Sequence, residues 1–365
     1  MRFSVLQSEL LPALSSVARS CGVRAQLPVL NNILISASTN TLKLSATNLE
    51  VGVVKSLKAE VLEEGEVTLP ARTLVDVVSN LSGKIEFVAS SDQVEISTPS
   101  FSSKITGISA SEFPAIPLSG KEAVEIDAQA LLKSLPQVSF AAAIDEGRPV
   151  LTGILLEIKE NQVEFVATDG YRLAHKKLEI SQSLPFRALI PRKTFEEVVR
   201  LIAEEGSGKV RISTSDNQNQ IIFTIDQTQL SSRLIEGQFP AWEKIIPQEL
   251  KCKVVVDKAE ILKAVKLASV FSRSEANVVK LQNSDGKLVL TSEAKELGSQ
   301  RKEVEAVSVG EELQIAFNTK FLQDALNAID TPKLSLELSG PLSAAMIKPQ
   351  KDEGLQYIIM PVNLS

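Results

Sequence analysis

The chain has 365 residues, 44% of them hydrophobic and 23% charged, with a formal net charge of −6. That length exceeds one ordinary core and calls for two or three domains, while the acidic balance excludes a globally basic nucleic-acid binder, so that any DNA contact needs a local basic surface. No run of about 18 apolar residues is available to cross a membrane, and Met1-Arg2-Phe3-Ser4 lacks the basic-then-apolar layout of a secretory leader, so the expected compartment is the cytoplasm.

In chain order, a strand is expected over 2–5 and then a helix from about Ser8, in which Leu10, Leu11, Leu14, Val17 and Ala18 recur at helical spacing. Ser8 is the expected N-cap, which leaves Pro12 in the tolerated first turn. Alternating segments at 32–37, 41–46 and 52–57 read as antiparallel strands separated by polar turns. A second helix is expected over 72–81 after Pro70, strands over 84–89, 93–97 and 101–107, and Phe113-Pro114-Ala115-Ile116-Pro117 closes the unit. The same order then recurs. A strand at 123–126 leads into a helix capped by Asp127, running through Leu131, Leu132, Leu135 and Val138 and expected to kink at Pro136. Strands at 151–158, 162–168 and 172–179 precede a helix from Arg192 through Phe195, Val198, Val199 and Ile202, and Phe239-Pro240 ends this unit as Phe113-Pro114 ended the first. The third pass has a strand at 253–256, a helix capped by Asp257 with Ile261, Leu262, Val265 and Ala268 inward, a strand at 288–292, a helix after Asn318-Thr319-Lys320-Phe321, and a last strand at 357–362.

These passes are copies. Pro149-Val150-Leu151 repeats Pro28-Val29-Leu30, Ala167-Thr168-Asp169 repeats Ala46-Thr47-Asn48, and Ile190-Pro191-Arg192-Lys193-Thr194 repeats Leu69-Pro70-Ala71-Arg72-Thr73, each at an offset of 121 residues. Three copies of one α+β unit, each with two helices on antiparallel sheets, therefore account for the chain, over 1–120, 121–248 and 249–365. Their charges are −2, −3 and −1. Two helices per unit cover only one face of the sheets, and the sheet edges left over must be paired or exposed.

In this order and in a threefold repeat, the motifs Leu27-Pro28-Val29-Leu30-Asn31-Asn32-Ile33-Leu34, Ala46-Thr47-Asn48-Leu49-Glu50, Ala167-Thr168-Asp169-Gly170-Tyr171-Arg172-Leu173-Ala174, Phe239-Pro240, Ala316-Phe317-Asn318 and Met360-Pro361-Val362 make the whole chain resemble the bacterial beta sliding clamps, the processivity subunits of DNA polymerase III. The resemblance implies a head-to-tail homodimer whose six units close into a ring, helices lining the hole and sheets outside. Twelve helices about 10 Å wide give a circumference of roughly 120 Å and a centre-line diameter of about 38 Å, wider than a DNA duplex. Double-stranded DNA would be encircled without base readout, and the DNA polymerase III catalytic subunit, a clamp loader and other clamp-motif proteins would be the partners. No cofactor, no metal and no catalytic site are expected.

The resemblance also carries residues. The positions matching the family's partner-peptide pocket are Leu151, Thr168, Gly170, Tyr171, Arg172, Leu173, Pro240, Lys244, Ile245, Asn318, Phe321, Leu342, Ala344, Ile358, Met360 and Pro361. Leu173, Ile245, Ile358 and Met360 would form an apolar cup, Gly170 would permit close backbone approach, and Asn318 with Arg172 would bind peptide backbone or carboxylate. On composition alone, 168–170 is simply a turn and Met360 simply core. Ala276, Tyr171 and Asn363 depart from residues frequent in the family and are expected to shift peptide preference. Arg24, Arg72, Lys133, Arg148, Arg192, Lys193, Lys263 and Lys266 are the candidate DNA contacts, with Arg19, Arg200, Arg273 and Lys320 also on or beside helices; solvated helix faces are the plainer account of such residues. Phe101, Lys104, Val270, Phe271, Gln300 and Lys302 are the candidate dimer edge.

Other signals are weaker. Cys21 and Cys252 lie in different repeats without a CxxC and read as reduced structural thiols. The single histidine, His175, has no second histidine or cysteine for a metal site, and no GxSxG frames a serine. Gly206-Ser207-Gly208-Lys209 is similar to a phosphate loop, but Ala203 replaces its first glycine and Val210 its Ser/Thr, so it reads as the turn after a helix. The competing classes are a repeat-built scaffold that does not encircle DNA and an α+β hydrolase.

Overall fold

Strand residues alternate between buried and solvent-facing positions, as in Lys84–Ser90 and Gln93–Thr98, and this two-residue period builds sheets with one covered face. A computed structural model describes all residues except 23–26, 119–122, 182–184, 216–218, 273–276, 296–297 and 364–365. Among the described residues there are six α-helices: α1 Gln7–Ala18, α2 Ala71–Ser79, α3 Ala128–Ser139, α4 Arg192–Glu205, α5 Lys258–Ser272 and α6 Thr319–Ala328. Each repeat thus has two.

Contacts divide the chain into two units, Met1–Gln129 with Glu197–Leu234, and Ala130–Glu196 with Ile235–Ser365. The division falls inside α3 and α4, in the middle of the second repeat. In the first unit, strands Ala123–Asp127, Lys209–Thr214, Gln220–Ile225 and Thr228–Arg233 continue through Val51–Lys58 into the first repeat's Thr41–Thr47, Asn32–Ser38 and Gly65–Pro70, giving eight strands. A separate five-stranded sheet ends on Phe101–Thr106. In the second unit the remaining strands of the middle repeat pair through Arg172–Glu179 with Leu355–Ile359, making a sheet of twelve. α1 packs on α2 and on Thr41–Thr47 and Val51–Lys58; α5 packs on α6 and on Lys287–Ala294 and Gly298–Gly310. Fully buried aromatic pairs tie the layers, with Phe3 stacked on Phe87 at 4.7 Å and Phe165 edge-on to Phe195 at 5.8 Å.

Several boundaries differ from expectation. α1 starts at Gln7 with no side-chain cap, so Ser8 lies inside the helix and Pro12 is past its first turn. Sheet residue Leu6 feeds directly into the helix, which leaves no room for a capping residue. Asp257, by contrast, caps α5 through its Oδ1, which accepts from the backbone N–H groups of Ala259 and Glu260. The strand expected from 151 starts at Gly153, because Pro149–Leu151 forms a 3-10 turn. The last strand stops at Ile359, before Pro361, which has no N–H for the ladder. The Gly206–Lys209 segment is the turn between α4 and the next strand, with the Lys209 ammonium on Glu125 at 2.8 Å.

Candidate functional site

The centre of the site is the turn between strands Gln162–Thr168 and Arg172–Glu179. Thr168 Oγ1 accepts from the Gly170 N–H at 3.1 Å and donates to the Arg172 carbonyl at 2.6 Å, while Asp169 Oδ1 accepts from the N–H groups of Tyr171 and Arg172 at 2.9 and 3.0 Å. These bonds bend the chain through Gly170 at φ +92°, where a Cβ would sit 3.0 Å from an Arg148 guanidinium nitrogen. The backbone angle favours glycine here, while the nearest neighbour is the movable end of the Arg148 side chain.

The turn delivers Leu173 to the sheet directly opposite Ile358. Both are buried and form the floor, behind which lie Phe239, Trp242, Leu155 and Val166. Thr168, Gly170, Tyr171, Arg172, Ile245 and Met360 complete the lining of a cavity of about 160 Å³. Its rim is open: Tyr171 is 61% exposed, Met360 40% and Ile245 38%. Large apolar side chains left in water around a dry floor form a surface that gains free energy when an apolar side chain covers it. The cup expected from Leu173, Ile245, Ile358 and Met360 is thus assembled.

Arg172, expected to meet a peptide, also has partners within the protein. Its Nε donates to Asp169 at 3.0 Å, one terminal nitrogen donates to Asp324 at 2.6 Å and the other to the Phe140 carbonyl at 2.9 Å, and the guanidinium lies over the Phe140 and Phe321 rings. With 10% of the side chain exposed and one N–H on each of its three nitrogens held within the protein, it braces the turn while also lining the cavity. It positions the turn against α6, and Tyr171 stacks on Phe321 at 6.3 Å above it. Sequence reading missed Asp324 and Phe140 as partners. The 169–172 pairing follows a three-residue spacing, whereas Asp324 lies 152 residues away and leaves no local trace. Asn318 caps α6 with its side-chain oxygen on the Lys320 N–H, so only its amide nitrogen faces a ligand role. Leu151, Pro240, Lys244, Asn318, Phe321, Leu342, Ala344 and Pro361 do not line the cavity itself; Leu151 is buried, Ala344 packs behind the floor, and Leu342 is 64% exposed.

His175 lies behind the cup, 4.6 Å from the Trp242 ring, with Nδ1 2.9 Å from Gln356 Nε2 and Nε2 3.7 Å from Glu164. The His175 ring holds the Glu164 carboxyl below the ordinary carboxylate range. Among the described residues no cluster of His, Cys, Asp or Glu suits a metal ion. Burial pushes the Cys21 thiol up to about 12 and raises Cys252 as well, which makes both poor nucleophiles.

The candidate basic residues fall into two groups. Arg200 is held by Glu197 and Glu204, Arg19 by Glu204 at 3.1 Å, and Arg192 by Glu196 at 3.2 Å. Burial and these acids together leave Arg200 structural. Arg72, Lys133, Lys193, Lys263, Lys266 and Lys320 remain exposed, although Arg72, Lys133 and Lys263 each have a carboxylate within 4.0 Å. Arg148 donates to the Asp169 carbonyl at 2.9 Å and so belongs to the turn as well as to the loop. Arg24, Arg273 and Ala276 lie outside the described residues. At the candidate dimer edge, among the described residues Phe101–Thr106 pairs on one side only, and residues 298–305 pair with Lys287–Ala294 while 306–310 pair with Cys252–Asp257. Phe101 and Val270 are exposed, Lys104 lies 4.0 Å from Glu95, Phe271 and Lys302 are half-buried, and the Gln300 amide nitrogen is buried without a hydrogen-bond partner.

The N-terminal, central and C-terminal domains of the DNA polymerase III beta subunit family match residues 1–117, 125–241 and 243–363 in turn. The chain belongs to this family. The beta sliding clamps of Synechococcus elongatus and a Synechocystis species are 33% and 31% identical to it, with both chains covered throughout. A solved Pseudomonas aeruginosa sliding clamp, DNA polymerase III subunit beta bound to griselimycin, is 29% identical over the full length of each chain with a TM-score of 0.94. The fold is accordingly that of three clamp repeats of helices on antiparallel sheets. The family's function is that of an accessory processivity clamp in DNA replication, not of an enzyme, and its partners are DNA and the polymerase. No described helix is long and apolar enough to cross a membrane.

Proposed function

We propose that two copies of this chain join head to tail into a ring that encircles duplex DNA, each contributing three repeats bounded at 1–120, 121–248 and 249–365. Strand Phe101–Thr106 of one subunit would add to residues 298–305 of the other, which would remove two open sheet edges at once. Exposed Arg72, Lys133, Lys193, Lys263 and Lys266 would meet phosphates without reading bases, and retention would come from topology. A clamp loader would supply the ATP-driven opening that this chain does not perform.

The observation that carries the tethering role is the cup with a dry floor and an exposed apolar rim. We assign it to a short apolar-ended peptide of the polymerase and of other DNA-handling partners, with Met360 adapting to different side chains. Loaded onto nicked circular DNA, the protein is expected to stay bound until the circle is linearised. Equal loss from circular and linear DNA would overturn the ring, and a persistent monomer at micromolar concentration would overturn the dimer.

A further inference from the structure

The 121-residue offset gives the cup a counterpart. Thr47 Oγ1 accepts from the Leu49 N–H and donates to the Val51 carbonyl, both at 3.0 Å, and Asn48 Oδ1 accepts from the N–H groups of Glu50 and Val51. Each bond has its equivalent at 168–172. The Arg233 N–H bonds the Glu50 carbonyl at 2.9 Å as the Met360 N–H bonds that of Tyr171. Gly52 stands opposite Ser231 where Leu173 stands opposite Ile358. The same backbone therefore frames a second cavity, wholly within the first unit and of about 320 Å³, twice the volume of the cup. That size is at the lower end of small-ligand pockets, which run from about 300 to 1,000 Å³.

Its chemistry is different. Gly52 leaves room for Ile116, whose Cγ2 would lie only 2.7 Å from a Cβ there, and Ile116 with Pro114, Pro117 and Leu49 supplies an apolar wall in which Leu49 is 47% exposed. Arg233 replaces Met360 on the rim and is exposed, and among the described residues its guanidinium has no carboxylate within 4.0 Å. Glu50, across the turn, likewise has no ion-pair partner there, and the two do not pair with each other. A ligand that satisfies both must present a carboxylate to the arginine fork and N–H donors to Glu50, with apolar bulk between them.

We propose that this cleft is a second binding site, for short apolar peptides that end in a free carboxylate. It goes beyond the tethering role and depends on neither the ring nor the cup. The ledge bonds fix the backbone, Arg233 binds the terminal carboxylate in bidentate fashion, and Leu49 with Ile116 covers the preceding side chain.

The test uses the full-length protein with labelled Ile and Leu methyl groups, titrated with N-acetyl-leucyl-leucine as the free acid and as the amide. The free acid is expected to shift the Ile116 and Leu49 methyl signals saturably, with the amide weaker by about tenfold, the loss expected for one charge-assisted contact. Arg233→Gln should reduce the acid to the amide's affinity, and Arg233→Lys, which keeps the charge without the fork, should fall between them. The Ile358 methyl reports the cup separately, and its response should not change in either variant. No shift at Ile116, equal binding of acid and amide, or unaltered binding in Arg233→Gln would each overturn the proposal.

Discussion

Thr47 and Thr168 hold the same turn with the same bonds, yet one turn ends in Gly52 opposite Ser231 and the other in Leu173 opposite Ile358. The difference teaches that the repeat conserves a backbone frame while side chains at the cross-strand pair choose what the frame holds. Two methyl-rich residues make an apolar floor; opposite them in the other copy, glycine lets Ile116 close over the sheet and the Ser231 hydroxyl bonds Gln220. Arg172 widens the contrast, because its counterpart Val51 has no fork with which to clamp a turn to a helix.

Removing that clamp should have the largest effect. Arg172→Ala leaves Asp169 and Asp324 without their cation in a mostly buried place, and a loss of about 3 kcal/mol in denaturant unfolding is expected, with cup binding lost as well. Val51→Ala, at the equivalent position, should cost much less in the same assay, and an equal cost would break the comparison. Met360→Ala is expected to lower the affinity of a partner-derived peptide by about tenfold, or 1.4 kcal/mol, with little change in stability since the side chain is 40% exposed; unchanged affinity would remove the cup from the tethering role. Gly170→Ala should cost about 1 to 2 kcal/mol through its φ of +92° and its contact with Arg148. Leu49 already occupies φ +75° in the other turn, so Leu49→Gly trades relief of strain against chain entropy and should move stability by less than about 0.5 kcal/mol.

A smaller effect concerns pH. Glu164 is held below its ordinary range by His175, so its folded-state pKa is depressed. The stability it contributes is present above its unfolded pKa and is lost as pH falls through the lower folded value. Glu164→Gln should therefore lower stability at neutral pH and flatten the acid limb of the profile, so that variant and parent converge as pH falls; an unaltered acid limb would show that the His175 contact contributes nothing to folding.

Much of this molecule was legible in residue order. The offset of 121 residues, the alternation of the strands and the threefold helix pattern are local or periodic signals, and they are enough to specify three α+β repeats; that Leu173, Ile245, Ile358 and Met360 share one site was implied by the resemblance to the clamp family and not by any periodicity. Strand and helix ends were less legible at Gln7 and Ile359, where a neighbouring strand or proline outweighs local propensity. The role of Arg172 depends on Asp324 and Phe140, the wall of the second cleft on Ile116 packing over Gly52, and the ion pairing of Arg233 on which carboxylates lie near it in space. Those are decided by the tertiary structure alone, because hydrogen bonds and cavities join residues that are close in space and, as with Arg172 and Asp324, as much as 152 positions apart in the chain, where no periodicity can record them.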